Sequence, residues 1–280
     1  MKKIVILAFI PFLFACDSRK TNYDYEKSKI QHYFAMDDIK QADSLLSELF
    51  KEAYESDFDF FYYYALTSIH LGNYQRADSI LEVWDEKSGE DYRIDYSYAY
   101  YYSEKGNYEK ALYSINKSLA LKSFDHSSMN LKGSILSNFE KDDSVFKEAK
   151  NSFERAYILF PMPLYKFNLS QLYSNYEIYD SSISILTNLI ANDKENYEFY
   201  ISRGASYYYK NKFKLAELDF IQADSINPIS PSSKYHLGLI QLKNEDFENG
   251  CINILKCDSL GGHKDHMILL KQCKEYGWYD

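Results

Sequence analysis

The chain has 280 residues, 46% of them hydrophobic, enough for one large or two small domains with a substantial core. Its 32 basic against 41 acidic side chains give a net charge of −9, a surface that repels phosphate backbones and argues against nucleic acid as a partner. Five prolines and ten glycines are too few for an all-β architecture with frequent tight turns, so the balance points to helices.

At the start, Lys2 and Lys3 precede an uncharged run from Ile4 to Ala15. As a helix this run covers about 18 Å, well short of the roughly 30 Å hydrocarbon core of a bilayer. A basic start, a short apolar stretch and a small residue before Cys16 describe a secretory signal peptide over residues 1–15. Leu13-Phe14-Ala15-Cys16 resembles the bacterial lipobox, with Phe14 departing from the usual small or β-branched residue. The resemblance implies cleavage before Cys16 and lipid on its sulfur, with residues 16–22 as a polar tether. The expected location is the bacterial cell envelope, at the outer membrane or the outer leaflet of the inner one. Removal of residues 1–15 takes away two lysines and leaves 30 basic against 41 acidic side chains, a net −11.

Beyond the tether the chain repeats itself. Gly72-Asn73-Tyr74 returns as Gly106-Asn107-Tyr108, and Gly204 and Gly238 stand at the same step of thirty-four. A large rung recurs at Ile39, Tyr74, Tyr108, Phe146, Tyr179, Phe213 and Phe247. Three residues after each comes a small one: Ala42, Ala77, Ala111, Ala149, Ser182, Ala216 and Gly250. Four further on stands a large apolar one: Leu46, Leu81, Ile115, Phe153, Leu186, Phe220 and Ile254. Offsets of three and four place these side chains on one helical face, where the small residue lets two helices cross closely. A second small position, at Ala65, Ala99, Gly133, Ser170, Gly204 and Gly238, belongs to the preceding helix and meets the first at the crossing.

This ladder resembles the tetratricopeptide repeat (TPR), a helix-turn-helix unit of thirty-four residues. The resemblance implies an all-α, right-handed α-solenoid of about seven repeats over 23–262, at 23–57, 58–91, 92–125, 126–162, 163–196, 197–230 and 231–262. Three departures carry expectations. Ile30 replaces the small residue of the first copy, a longer turn falls between Phe139 and Val145, and Glu177 replaces a turn glycine, so that turn should differ. Residues 263–280 are read as a capping helix and tail, with Met267, Leu269, Leu270 and Cys273 on the covering face. Across that last hairpin Cys251 and Cys273 either form a disulfide or pack as two buried thiols. Cys257, at a small-residue place, is read as core.

No phosphate-binding loop, HExxH, GxSxG or other recognisable catalytic or metal-ligating pattern occurs, so neither an enzyme nor a cofactor is expected. The TPR resemblance implies a protein or peptide partner held by the first helix of each repeat. Carried onto this chain, the groove residues are Tyr62, Leu66 and Ile69, then Arg93, Tyr96, Tyr100 and Glu104, then Asn130, Ser134 and Asn138. Phe167, Gln171 and Asn175 follow, then Ile201, Tyr208 and Tyr209, and last Tyr235, Leu239 and Lys243. By the same mapping Tyr74, Tyr102, Tyr108, Tyr173, Tyr179 and Tyr207 are packing residues. The third to fifth repeats offer amides without the Lys and Arg set of a dicarboxylate clamp, which argues against that mode. The functional expectation is a membrane-anchored interaction scaffold; a glycan- or solute-binding lipoprotein that uses the tyrosines as platforms is the alternative.

Overall fold

The computed structural model describes residues 25–34, 36, 38–49, 58–262, 266–275 and 277, which form helices and the turns between them, with no strand among them. The leader, the tether and Cys16 lie outside the described residues. The helices are α1 (25–34), α2 (Ile39–Leu49), α3 (Phe58–His70), α4 (Tyr74–Ser88), α5 (Tyr92–Glu104), α6 (Tyr108–Leu121), α7 (His126–Leu136) and α8 (Asp143–Leu159). They continue with α9 (Pro163–Asn175), α10 (Tyr179–Asn192), α11 (Tyr197–Tyr209), α12 (Phe213–Ile226), α13 (Pro231–Lys243), α14 (Phe247–Ser259) and α15 (His266–Glu275). The chain divides into two compact units, one up to Ile135 and one from Leu136, within the range read as the fourth repeat.

Local sequence explains the helix starts and stops. Asn73 and Asn107 each accept a hydrogen bond from the backbone N–H three residues on, capping α4 and α6. Pro163 and Pro231 stand in the first turns of α9 and α13, where a missing N–H costs nothing. Between paired helices one turn recurs. Gly72 and Gly106 sit at φ 71° and 72°, and the next N–H reaches back five residues, Asn73 to Ser68 O and Asn107 to Tyr102 O.

The turn at Glu177 was expected to differ, and it does not. Glu177 takes φ 63°, and the Ile178 N–H donates to Tyr173 O at 2.8 Å, the same bond as in the glycine turns. Asn211 and Glu245 repeat it at φ 57° and 65°. A left-handed L-residue costs about 1–2 kcal/mol, a penalty that the packing of the hairpin it closes outweighs.

Within each unit, paired helices pack on one another and each hairpin packs on the next. In the first unit Phe61, Ile69, Leu81 and Trp84 form the centre of a core that also takes in Ile30, Ala42 and Leu46. In the second, one cluster joins Leu186, Phe199 and Tyr200, another joins Ala216, Phe220 and Ile240, and a third joins Cys251, Ile254, Leu270 and Cys273. The small positions are where helix pairs cross. Ala65, Ala77, Ala99, Ala111 and Ala216 are wholly buried. A β-carbon at Gly204 would stand 2.6 Å from the Phe220 ring, and one at Gly238 would stand 2.9 Å from the Gly250 carbonyl oxygen. The large rung residues before them are half-buried, and Phe247 is exposed.

The last helix differs in part from its expected form. Of its covering residues Leu270 and Cys273 are buried whereas Met267 is 60% exposed. A disulfide joins Cys273 to Cys251, with Cα atoms 5.5 Å apart, and this bond sets which side of α15 meets α14. Met267 lies about a third of a turn round the helix from Cys273 and so escapes burial. Closing this loop contributes about 3 kcal/mol. Cys257 is buried, in keeping with its reading as core.

Replacing Gly238 by Val should lower stability to urea by about 2–3 kcal/mol, because its β-carbon meets backbone that cannot turn aside. The exposed control Ser225→Val should leave the midpoint unchanged. Equal midpoints for the two variants would contradict a close crossing at this glycine.

Candidate functional site

In the second unit the first helices of successive hairpins, α9, α11 and α13, lie side by side. On α11 Ile201, Ser202, Ala205 and Tyr209 recur at helical spacing and face one hollow. Gln171, Ser174 and Asn175 of α9 and Tyr235, His236 and Leu239 of α13 line it too, and it encloses about 650 Å³. Small side chains at Ser202, Ala205 and Ser206 give it depth. At this floor the hydroxyls of Ser174, Ser182 and Ser206 bond to one another at 2.8–3.2 Å, which meets the needs of its polar groups. The Gln171 amide nitrogen donates to Ser202 Oγ at 3.0 Å, and the Gln171 carbonyl oxygen keeps its acceptor capacity.

Aromatic rings form the rim. Tyr209 is 65% exposed and stacks on Tyr179, with centroids 5.6 Å apart and planes 11° apart. Tyr235 meets His236 edge-on, and His236 stacks on Phe220 at 5.0 Å. Burial, with Glu177 and Tyr209 close by, raises the Tyr179 hydroxyl above its ordinary value, so it stays protonated and able to donate. Lys141 and Glu177 approach to 3.8 Å at one end and offset each other's charge. A smaller hollow of about 290 Å³ adjoins the first and shares Gln171, Ile201 and Ser202 with it; Phe167, Tyr197, Glu198 and Ser232 complete its walls. Behind α11, Arg203 donates twice to Asp219 of α12, at 2.7 and 2.9 Å. The Arg203 guanidinium is held above its ordinary value, chiefly by that bond, which fixes α11 on α12.

Of the residues assigned to the groove, Gln171, Asn175, Tyr209 and Tyr235 line this hollow, together with Ile201 and Leu239. Phe167 lies in the smaller one and packs on Phe199 at 5.4 Å. Tyr208 does not line either; its ring packs on Phe213 at 5.5 Å, against the cluster of Phe220 and Ile240. Asn138 is exposed in the connection before α8.

Tyr62, Tyr96, Tyr100 and Asn130 belong to the first unit, where packing claims part of them. Tyr62 is half-buried between Trp84 and Tyr96, with the Arg93 guanidinium 6.0 Å over its ring. Burial, with Tyr96 and Tyr63 close by, puts its hydroxyl well above the ordinary value. Arg93, also assigned to the groove, is instead paired with Asp91 and Asp59. Burial pushes the Asp59 carboxyl up, but hydrogen bonds from Lys27 and Arg93 outweigh it and hold the group below its usual range. Ile69 is buried core. The Tyr100 hydroxyl, pushed up to about 12 by burial and by Glu104, stands 3.5 Å from His70 Nδ1. Asn130 is half-buried, and its backbone carbonyl accepts from Ser134 Oγ.

Tyr179, assigned to packing, turns out to be a wall of the hollow. It meets Tyr209 across an offset of thirty residues, and the same offset brings Lys210 to Asp180 and Tyr100 to His70. That recurrence was the available signal. Among the described residues no three His, Cys, Asp or Glu side chains converge on a metal site, and no helix is long and apolar enough to cross a membrane.

No family model matches the chain, and no curated protein does. Solved structures do. A tetratricopeptide repeat protein from Parabacteroides merdae is similar with a TM-score of 0.66 at 19% identity, over 91% of this chain and 99% of that one. PilF of Pseudomonas aeruginosa follows at 0.60 and 14%, over 76% and 96%. A thermophilic TPR protein of Thermus thermophilus stands at 0.58 and 14%, over 65% and 97%. At these identities the structural likeness shows the fold alone: the chain is a helical repeat array of the tetratricopeptide type.

Proposed function

We propose that this chain is a non-catalytic scaffold that binds a protein or peptide segment in the hollow of α9, α11 and α13, and that a lipid on Cys16 holds it at the bacterial cell envelope. The observation that carries the binding reading is the hollow's chemistry. Amides and hydroxyls line it, at Asn175, Gln171 and Ser202, and tyrosine rings rim it. An extended peptide has one donor and one acceptor per residue for such amides, and its apolar side chains gain from the rings. The acidic balance of the chain disfavours phosphate-rich partners. The basic start, short apolar run and lipobox-like LFAC support the envelope reading.

One observation favours a second reading. The Tyr179–Tyr209 stack and Asn175 line the same hollow, a combination that also suits a sugar ring. Photo-crosslinking in cells separates the two. A benzophenone amino acid at Tyr209 should yield discrete protein adducts that the same probe at Tyr113, exposed elsewhere, does not. No adducts at Tyr209, alongside saturable oligosaccharide binding, would favour the sugar reading over the peptide one.

The anchor has its own test. Cys16→Ser should abolish palmitate labelling and move the protein from the membrane to the soluble fraction. Retained labelling would refute lipidation at this residue.

A further inference from the structure

The two hollows of the second unit are chambers of one trough. They share Gln171, Ile201 and Ser202, and the Gln171–Ser202 hydrogen bond forms the waist between them. The trough follows α11 from Glu198 near its start to Tyr209 at its end. Those eleven steps at 1.5 Å per residue span about 17 Å. An extended chain rising about 3.3 Å per residue covers that length with about five residues.

Charge distinguishes the two ends. At the Tyr209 end Lys141 and Glu177 neutralise each other. At the other end the Glu198 carboxylate is exposed and makes no ion pair among the described residues, so it leaves the trough one uncompensated negative charge. The chambers differ in size as well. The larger, of about 650 Å³, is lined by Ala205 together with the rings of Tyr209 and Tyr235, with room for a bulky apolar side chain. The smaller sets Glu198 beside the rings of Phe167 and Tyr197, which suits the aliphatic stem and charged head of a lysine or arginine.

We propose that the occupant of this trough is an extended segment of about five residues lying lengthwise along α11, with a basic residue at the Glu198 end and a bulky apolar residue over Ala205. The proposal rests on the reading of the hollow as a peptide-binding surface and adds direction and sequence preference to it. It predicts a motif of one cation and one large apolar residue separated by two or three positions, with no requirement for an acidic residue.

A positional-scanning library of hexapeptides with acetylated and amidated ends, read by fluorescence polarisation against the full chain, tests it. Wild type should enrich Lys or Arg near one end and Phe, Tyr or Leu toward the other. Glu198→Lys should weaken the basic peptides about fivefold and move that position toward Asp or Glu. Ala205→Trp, and separately Ser202→Phe at the waist, should block every peptide while circular dichroism shows a retained helical melt. If those two variants block binding but Glu198→Lys leaves the preference unchanged, the assigned direction and charge are wrong and the peptide-binding reading stands. If peptides bind the two folded variants as well as wild type, both fail.

Discussion

Everything in this fold depends on how closely two helices of a pair can approach. At Gly204 and Gly238 the approach leaves no room for a β-carbon, and at Ala77, Ala111 and Ala216 the small side chain is wholly buried. The large residue four positions on, such as Leu81, Ile115, Phe220 or Ile254, then fills the space beside the crossing and is itself fully buried. Each hairpin therefore buries a small, dense interface of its own. Stacking of consecutive hairpins adds the rest of the core, as solenoid repeats require.

The binding surface follows from the same constraint. Because the second helices occupy the outer positions of each hairpin, the first helices come side by side, and α9, α11 and α13 present one continuous face. On that face large residues would fill the hollow, but Ser202, Ala205 and Ser206 stand at its floor. The serine hydroxyls at that floor bond to one another, and Ser206 Oγ also bonds to the Ser202 carbonyl, so the hollow costs little in unmet hydrogen bonds. Arg203 and Asp219 hold α11 from behind with a bidentate pair in a nearly dry setting. Rigid support of this kind leaves less to be ordered when a partner binds.

Much of this could be read from the residues alone, for a physical reason. A repeat prints its packing constraint many times over, so Ala42 through Gly250 identify the crossing, and the TPR resemblance, carried onto positions counted from it, assigns Gln171, Asn175, Ile201, Tyr209, Tyr235 and Leu239 to one face. Counting fails where neighbours compete. Tyr208 and Tyr209 are adjacent in sequence, and only the position of Phe213 decides that the first turns inward and the second outward. In the first unit a dense aromatic and ionic cluster around Arg93 draws Tyr62 into packing, an outcome set by Asp59 and Trp84. Glu177 shows a different limit. Backbone strain of about 1 kcal/mol is too small to change a turn whose hairpin is held by its core.

The small-residue crossing is tested most directly by nuclear Overhauser contacts in selectively labelled protein. With the Phe220 ring and the Ile254 δ-methyl observed, the crossing places the first against the α-protons of Gly204 and the second against those of Gly238. Strong cross-peaks, with the Gly204 α-protons shifted by the ring current of Phe220, are the expected result. Their absence in folded protein would mean that the helices do not cross at these glycines, and the arrangement of α9, α11 and α13 built on that crossing would fall with it.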